Sequence, residues 1–419
     1  MDNQQISLTA HANKPTVRFI NAGMGFKLIP FSIKQAIMIK KIIFQIHLWL
    51  GLLSGIVVFI VSITGSIYVF QPEITKWLRR DAIYNDYSNG KSALTQKQLW
   101  EIARSELPEG EAISWVNIYN DPRKNQIFYS YASNPDALTY FGFIDHYKAL
   151  YINPYTGEVV KIYNEKTNFF NIVKFLHWSL LLETSIGQPI VGWATIIFVI
   201  LLITGLVLWW PRSFRSAKNI FLFKWKKTTG WYKRFYDLHN ILGFWSFMGA
   251  LIIALTGLVW AFKWFQAAVY VAAAGTTTPP SQPQAASELR PIEAVSPIDK
   301  ALTTARKSYS DAAAFRITPP SDSTGVINFY VQQKEGVYYI NHQLQFDQYS
   351  GELLSERKHD EKNAGEKLIH ANYDIHTGAI LGLPGKILAF FVSLIAASLP
   401  VTGFMMWWKR TKRKQNSLF

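Results

Sequence analysis

The sequence predicts an α-helical integral membrane protein with four transmembrane helices, built as a tandem repeat in which each copy carries a small α+β domain between its two spans. Three observations predict it. Charged residues are only 17% of the 419, against about a quarter in soluble proteins. Residues 42–70, 184–210, 238–262 and 387–408 contain no Asp, Glu, Lys or Arg, and each is long enough for the roughly 20 apolar residues that cross a hydrocarbon core. The same short motifs also recur in the same order at a nearly constant offset.

Residues 1–37 differ in character from the rest and are expected to be a disordered extension, with Met38 as an alternative start. The apolar run at 42–70 is too long for a cleavable signal peptide. The first span covers 38–75 and holds Ile46-His47-Leu48, Gly51, Gly55 and Thr64-Gly65. The first α+β domain covers 76–168, with a helix at 95–105, strands at 127–131 and 148–152, the turn Tyr155-Thr156-Gly157-Glu158, and a strand at 158–162. The second span, 169–212, would stretch about 50 Å from His177 to Arg212 as one straight helix. A break is therefore expected at Gly187-Gln188-Pro189. A basic loop follows at 213–234.

The third span, 235–268, repeats the first, with Leu238-His239-Asn240, Gly243 and Thr256-Gly257 at an offset of 192. Within 269–366, residues 274–291 read as a linker rich in Thr, Pro, Gln and Ala. A second α+β domain follows, with a helix at 297–308, strands at 326–331, 337–340 and 352–355, and Tyr349-Ser350-Gly351-Glu352 offset by 194 from its counterpart. The fourth span, 367–410, holds His370, His376, an expected break at Gly382-Leu383-Pro384-Gly385, and Thr402-Gly403 with Trp407-Trp408, offset by 198 from Thr204-Gly205 and Trp209-Trp210. Residues 411–419 form a tail. Both copies run in the same direction, so a pseudo-twofold axis along the membrane normal is expected.

The net charge of +15 is not spread over a nucleic-acid surface. Residues 1–41, 211–235 and 409–419 together hold 19 Lys and Arg against one acid, Asp2. This basic excess flanks the apolar spans, which puts both termini and the central loop in the cytoplasm, facing anionic lipid headgroups, and the two long intervening segments outside. No nucleic acid is expected as a partner. The chain has no cysteine, which excludes disulfides, thiolate metal sites, iron–sulfur clusters and thioether-attached haem.

Nine histidines are present, and their placement is informative. His47 and His239 occupy matching positions near the cytoplasmic ends of spans one and three. His177 and His376 form a second matched pair on the outer side. Gly51 and Gly243, one turn from their histidines, leave room for a flat macrocycle or allow close helix contact. Ionisable groups inside a membrane are costly and usually functional, although an interhelical hydrogen bond is the plain alternative for a single His. Two symmetric pairs at two depths suit bis-axial ligation of iron porphyrin, and without cysteine that means two non-covalent haem b groups. His11, His146, His342 and His359 read as surface or loop residues.

Ile46-His47-Leu48-Trp49-Leu50-Gly51 with Thr64-Gly65, His177-Trp178-Ser179-Leu180-Leu181, and Asp374-Ile375-His376-Thr377-Gly378 with Gly382-Leu383-Pro384-Gly385 resemble the PepSY-associated transmembrane family, over about residues 38–410. The two α+β segments look like PepSY domains. The family includes bacterial inner-membrane di-haem ferric-siderophore reductases. The resemblance therefore implies an oxidoreductase that passes electrons across the inner membrane to a ferric siderophore, hydroxamate type favoured, in the periplasm and releases ferrous iron. It implies His47 and His239 as ligands of an inner haem and His177 and His376 of an outer one, with His370 as an alternative outer ligand.

Tyr373 and Asp374 become candidates to meet haem propionates or substrate, with a helix cap as the other reading. Tyr147, Tyr151, Tyr338 and Tyr339 are candidates for a docking surface, with ordinary sheet packing as the other reading. No nucleotide fingerprint is present, so a quinol or a cytoplasmic reductase must supply electrons. Two other functions fit the same resemblance: a PepSY-containing sensor or regulator of an envelope protease, and a haem-containing electron-transfer subunit for another periplasmic reductase.

Overall fold

The computed structural model describes residues 33–87, 92–211, 221–280, 285–291 and 295–416; residues 1–32 of the expected extension 1–37, with His11, and part of the basic loop lie outside them. Four helices within these residues are long and apolar enough to cross a membrane: Ile37–Tyr68, Thr184–Trp209, Trp231–Ala261 and Ala379–Lys412. Their outward faces carry large apolar side chains, among them Leu53 at 73% and Ile56 at 71% exposure. In water such faces would be a liability, and in lipid they are ordinary.

In chain order, the first half contains α1 (Ile33–Tyr68), α2 (Gln71–Leu78), α3 (Arg80–Ile83), α4 (Gln96–Ser105), β1 (Trp115–Tyr119), β2 (Gln126–Ser133), α5 (Tyr140–Phe143), β3 (Ile144–Ile152), β4 (Val159–Asn164), α6 (Phe169–Ser179) and α7 (Thr184–Trp209). The second contains α8 (Trp231–Asp237), a π-helical turn at Leu238–Leu242, α9 (Gly243–Ala261), α10 (Lys263–Ala274), α11 (Pro297–Ser308), β5 (Ala314–Thr318), β6 (Val326–Lys334), β7 (Val337–Asp347), β8 (Leu353–Arg357), α12 (Ala364–His376) and α13 (Gly382–Asn416). The helix of the first span thus begins at Ile33, five residues before Met38.

The eight strands form one antiparallel sheet in the order β4-β3-β2-β1-β5-β6-β7-β8. The sequence suggested two small modules; in the structure they share a seam. β1 pairs with β5, with Val116 opposite Ile317 and Ile118 opposite Phe315. These two strands escaped the sequence reading because each is five residues long and interrupted by a polar residue, Asn117 or Arg316. Their inward residues join a single core, in which Leu99 and Ala103 of α4 and Ala301, Leu302 and Ala305 of α11 cover Val116, Ile118, Phe128, Phe315, Ile317 and Phe346. Asp299 of α11 also accepts from the Gln96 and Lys97 backbone N–H groups that open α4, as a carboxylate at a helix N-terminus should.

In the second span the break falls earlier than the Gly-Pro signal suggested; in the fourth it begins earlier, at Thr377, and ends at Gly382, the first residue of the expected Gly-Pro signal. In the second span the chain turns at Leu180 and Leu181, both left-handed, at φ 57 and 60, and α7 runs on through Pro189. In the fourth, Thr377 and a left-handed Gly378 end α12, and helix resumes at Gly382. Gly187 and Gly385 serve a different purpose. A Cβ on Gly187 would lie 1.9 Å from the Ser179 carbonyl oxygen, and one on Gly385 would lie 2.1 Å from that of Gly378. Each glycine lets the resumed helix cross the backbone of the break it follows.

Candidate functional site

Each of the four paired histidines stands against a helix of its own half and meets a Thr-Gly dipeptide there. His47 on α1 sets Nδ1 2.9 Å from Thr204 Oγ1 on α7, beside the Leu201 carbonyl. His177 on α6 reaches the Val61 carbonyl at 2.8 Å and Thr64 Oγ1 at 3.3 Å on α1. His239 in the π-helical turn reaches the Leu399 carbonyl at 3.1 Å and Thr402 Oγ1 at 3.0 Å on α13. His376 on α12 lies 2.9 Å from Thr256 Oγ1 on α9, beside the Ile253 carbonyl.

Counting protons settles the tautomer. A carbonyl can only accept. Each threonine hydroxyl has one proton and donates it to the carbonyl four residues back in its own helix: Thr64 to Ile60, Thr204 to Ile200, Thr256 to Ile252 and Thr402 to Ser398. Its oxygen is then an acceptor, so all four Nδ1 atoms carry hydrogen and donate. Every Nε2 is left with its lone pair, the state a metal ligand needs. The glycine after each threonine makes room for the ring. A Cβ there would lie 3.0 Å from Cε1 of His177 at Gly65, 3.2 Å from that of His47 at Gly205, 3.4 Å from that of His239 at Gly403, and 3.5 Å from that of His376 at Gly257.

The brackets lie within halves, whereas the pairs join halves. The rings of His47 and His239 have centroids 6.3 Å apart at an interplanar angle of 88°. Those of His177 and His376 are 6.0 Å apart at 69°. No hydrogen bond links the two rings of either pair among the described residues. A metal held by both free nitrogens at about 2.0 Å would put ring centroids roughly 6.4 Å apart, so both spacings fit linear bis-imidazole coordination. His47 and Thr64 are seventeen residues apart on α1, a rise of about 25 Å, so the two sites lie near opposite faces of a hydrocarbon core about 30 Å thick. The His177–His376 pair opens on a cavity of about 430 Å³ with chiefly aliphatic and aromatic walls, including Val57, Val61, Phe198, Ile253 and Trp260. That volume lies within the usual range of cofactor pockets.

The other expected residues fall into place around these pairs. The open sides of Gly51 and Gly243 face Leu201 and Leu399 at 3.8 and 3.6 Å, a close helix approach. His370 contacts Asn341 at 3.4 Å and does not line the cavity, so His376 is the member paired with His177. Tyr373 lines the cavity beside Trp260. Asp374 is fully buried inside α12, not at its cap, and its Oδ2 accepts from the Tyr338 and Tyr339 N–H groups at 3.1 and 2.9 Å. It ties helix to sheet.

Among the tyrosines considered for docking, Tyr151 is 3% exposed and accepts from Arg79, which also pairs with the buried Glu165. Burial opposes the Arg79 charge, but Glu165 and Tyr151 outweigh it and hold the guanidinium above its ordinary pKa. Tyr147 packs with Trp115, Tyr129 and Tyr131. Tyr338 keeps 37% exposure. His146 lies beside Asp145. His342 is not in a loop but on β7, packed at a tilt against Tyr309 with ring centroids 4.6 Å apart, and its Nδ1 accepts from the His359 N–H.

The residues that sequence reasoning missed are the four threonines and their glycines. Their signal was present, since Thr-Gly recurs once per span, but it was read only as a marker of repetition. The family model described as "PepSY-associated TM region" matches residues 44–410, most of the chain. No curated protein matches it.

Proposed function

From the premise that the chain belongs to the PepSY-associated transmembrane family, and so is a multi-pass membrane protein, we propose that it is a di-haem b oxidoreductase of the bacterial inner membrane, a tandem repeat that delivers electrons to ferric siderophores in the periplasm. The observation that supports it most is the pairing of four imidazoles at coordination spacing, each with Nδ1–H already committed and Nε2 free. Haem b, when bound, supplies one-electron chemistry.

The chain's part is to hold and aim. His47 with His239, and His177 with His376, offer paired ligands near the two faces. The Thr-Gly brackets lock each ring's tautomer and angle, and outer-shell partners of this kind commonly matter 10–100-fold to metal affinity. The apolar walls of the outer cavity exclude water from the site. The basic segments beside the spans favour cytoplasmic termini, which puts the sheet in the periplasm as two joined PepSY-like domains. A quinol or a cytoplasmic reductase is the expected donor. The accepting siderophore binds ferrous iron far more weakly than ferric, so one electron releases the metal.

The purified protein should show the Soret and sharp α-band of low-spin haem at two per chain. His47→Ala and His239→Ala should abolish one haem, and His177→Ala and His376→Ala the other. Chemically reduced protein should be reoxidised by a ferric hydroxamate, with ferrous iron captured by a chelator. A folded but colourless protein overturns the proposal.

A further inference from the structure

Among the described residues, one charged side chain lines the outer cavity. Lys174 stands on α6 one turn before His177, on the same face, among neutral neighbours. The matching position, one turn before His376, holds Tyr373. No carboxylate lies within ion-pair distance of Lys174 among the described residues. Its Nζ lies 5.1 Å from the Phe175 ring. The nearby acid is already engaged, since Glu165 takes Arg79 on one oxygen and Asn171 Nδ2 on the other. A cation beside an apolar cavity without a counter-charge is costly, and a ligand that brings an acid removes that cost.

We infer that Lys174 is the counter-charge for a carboxylate arm of the molecule that fills this cavity, so that the ligand is acidic and seats with its acid toward the first half of the chain. This rests on the proposal that the cavity takes haem, whose two propionates are the acids at issue. Because Tyr373 carries no charge, the two halves offer the ligand's edge unequal partners. The inequality selects one of the two ways a nearly symmetric macrocycle can enter.

The test compares uptake of haem and of haem dimethyl ester by the full-length protein stripped of cofactor in detergent. Wild type should retain the free acid at the outer site about ten-fold better than the ester, the value of one charge-assisted contact. Lys174→Met should take both equally, and its outer haem should have a lower midpoint potential. Lys174→Arg should restore both the preference and the potential. The assignment is overturned if Lys174→Met still discriminates acid from ester as wild type does, with two haems bound. Wild type that binds neither form refutes the haem proposal itself, and this inference with it.

Discussion

Residues 33–209 and 231–416 build the same contact on different backbones. In the first half His47 sits in an uninterrupted α-helix, and the left-handed positions of the break are held by Leu180 and Leu181. In the second half His239 sits in a π-helical turn, and the left-handed positions fall to Gly378 and Gly382. A leucine in that conformation costs about 1–2 kcal/mol that glycine does not, and π turns gather at functional sites. Yet all four rings reach a threonine oxygen, a carbonyl and a glycine. The difference teaches that the imidazole bracket is the constant, and that the local path of the chain adjusts to deliver it.

The largest asymmetry should appear at the breaks. Gly378→Ala places a Cβ 2.2 Å from the Gly385 carbonyl oxygen at φ +76. Strain and clash together should cost about 3 kcal/mol or more, read as a large loss of thermal stability in detergent. Leu180→Gly in the other half relieves strain and loses half-buried apolar contact, so it should change stability by less than about 1 kcal/mol. Equal losses at the two sites would erase the comparison.

The brackets offer a finer test. Gly65→Ala and Gly205→Ala would press on their histidines at 3.0 and 3.2 Å, whereas Gly403→Ala and Gly257→Ala meet theirs at 3.4 and 3.5 Å, an ordinary contact. First-half variants should therefore tilt the ring and, under the di-haem proposal, weaken haem retention by roughly ten-fold, read by electron paramagnetic resonance of the haem-loaded protein. Second-half variants should stay close to wild type. The opposite order would mean that the glycines do not set the ring angle.

The smallest effect concerns how each half grips the sheet. The first half uses the Arg79–Glu165 pair. The second buries Lys362, whose Nζ donates to the Asn341 carbonyl and Oδ1 at 3.0 and 2.8 Å. Burial, with help from Arg357, pulls the Lys362 pKa down to about 8 from an ordinary 10.5. Between those values the unfolded chain binds more protons than the folded one, so this group's contribution to stability rises with pH across the window and is lost below about 8. Lys362→Met should flatten that rise in a melting-temperature series, and an unchanged slope would remove Lys362 as its source.

Much of this was legible in the sequence because lipid imposes a simple rule. Uncharged runs of sufficient length announced all four spans, and histidines within them were conspicuous against that background. The strands at 127–131 and 326–331 were readable from β-branched and aromatic density. What escaped depended on partners far away in the chain. One side of both β1 and β5 is completed by the other, about two hundred residues away in the chain. The break before α7 is set by Ser179, Leu182 and Glu183 rather than by Pro189, since Ser179 Oγ bonds the Leu182 carbonyl and Glu183 caps the helix through Ser185 N–H. The role of Thr64, Thr204, Thr256 and Thr402 needed a neighbouring ring to become visible.

The seam between β1 and β5 also constrains how the halves could move against each other. Because every histidine pair draws one member from each half, any rocking of the halves would change the gap between imidazoles. The shared sheet resists such rocking, because the halves could separate only by breaking the β1–β5 ladder and opening the common core. A protein whose halves were joined only by a tether would hold its pairs loosely. Here the halves are joined through paired strands, unlike transporters whose repeats rock against each other.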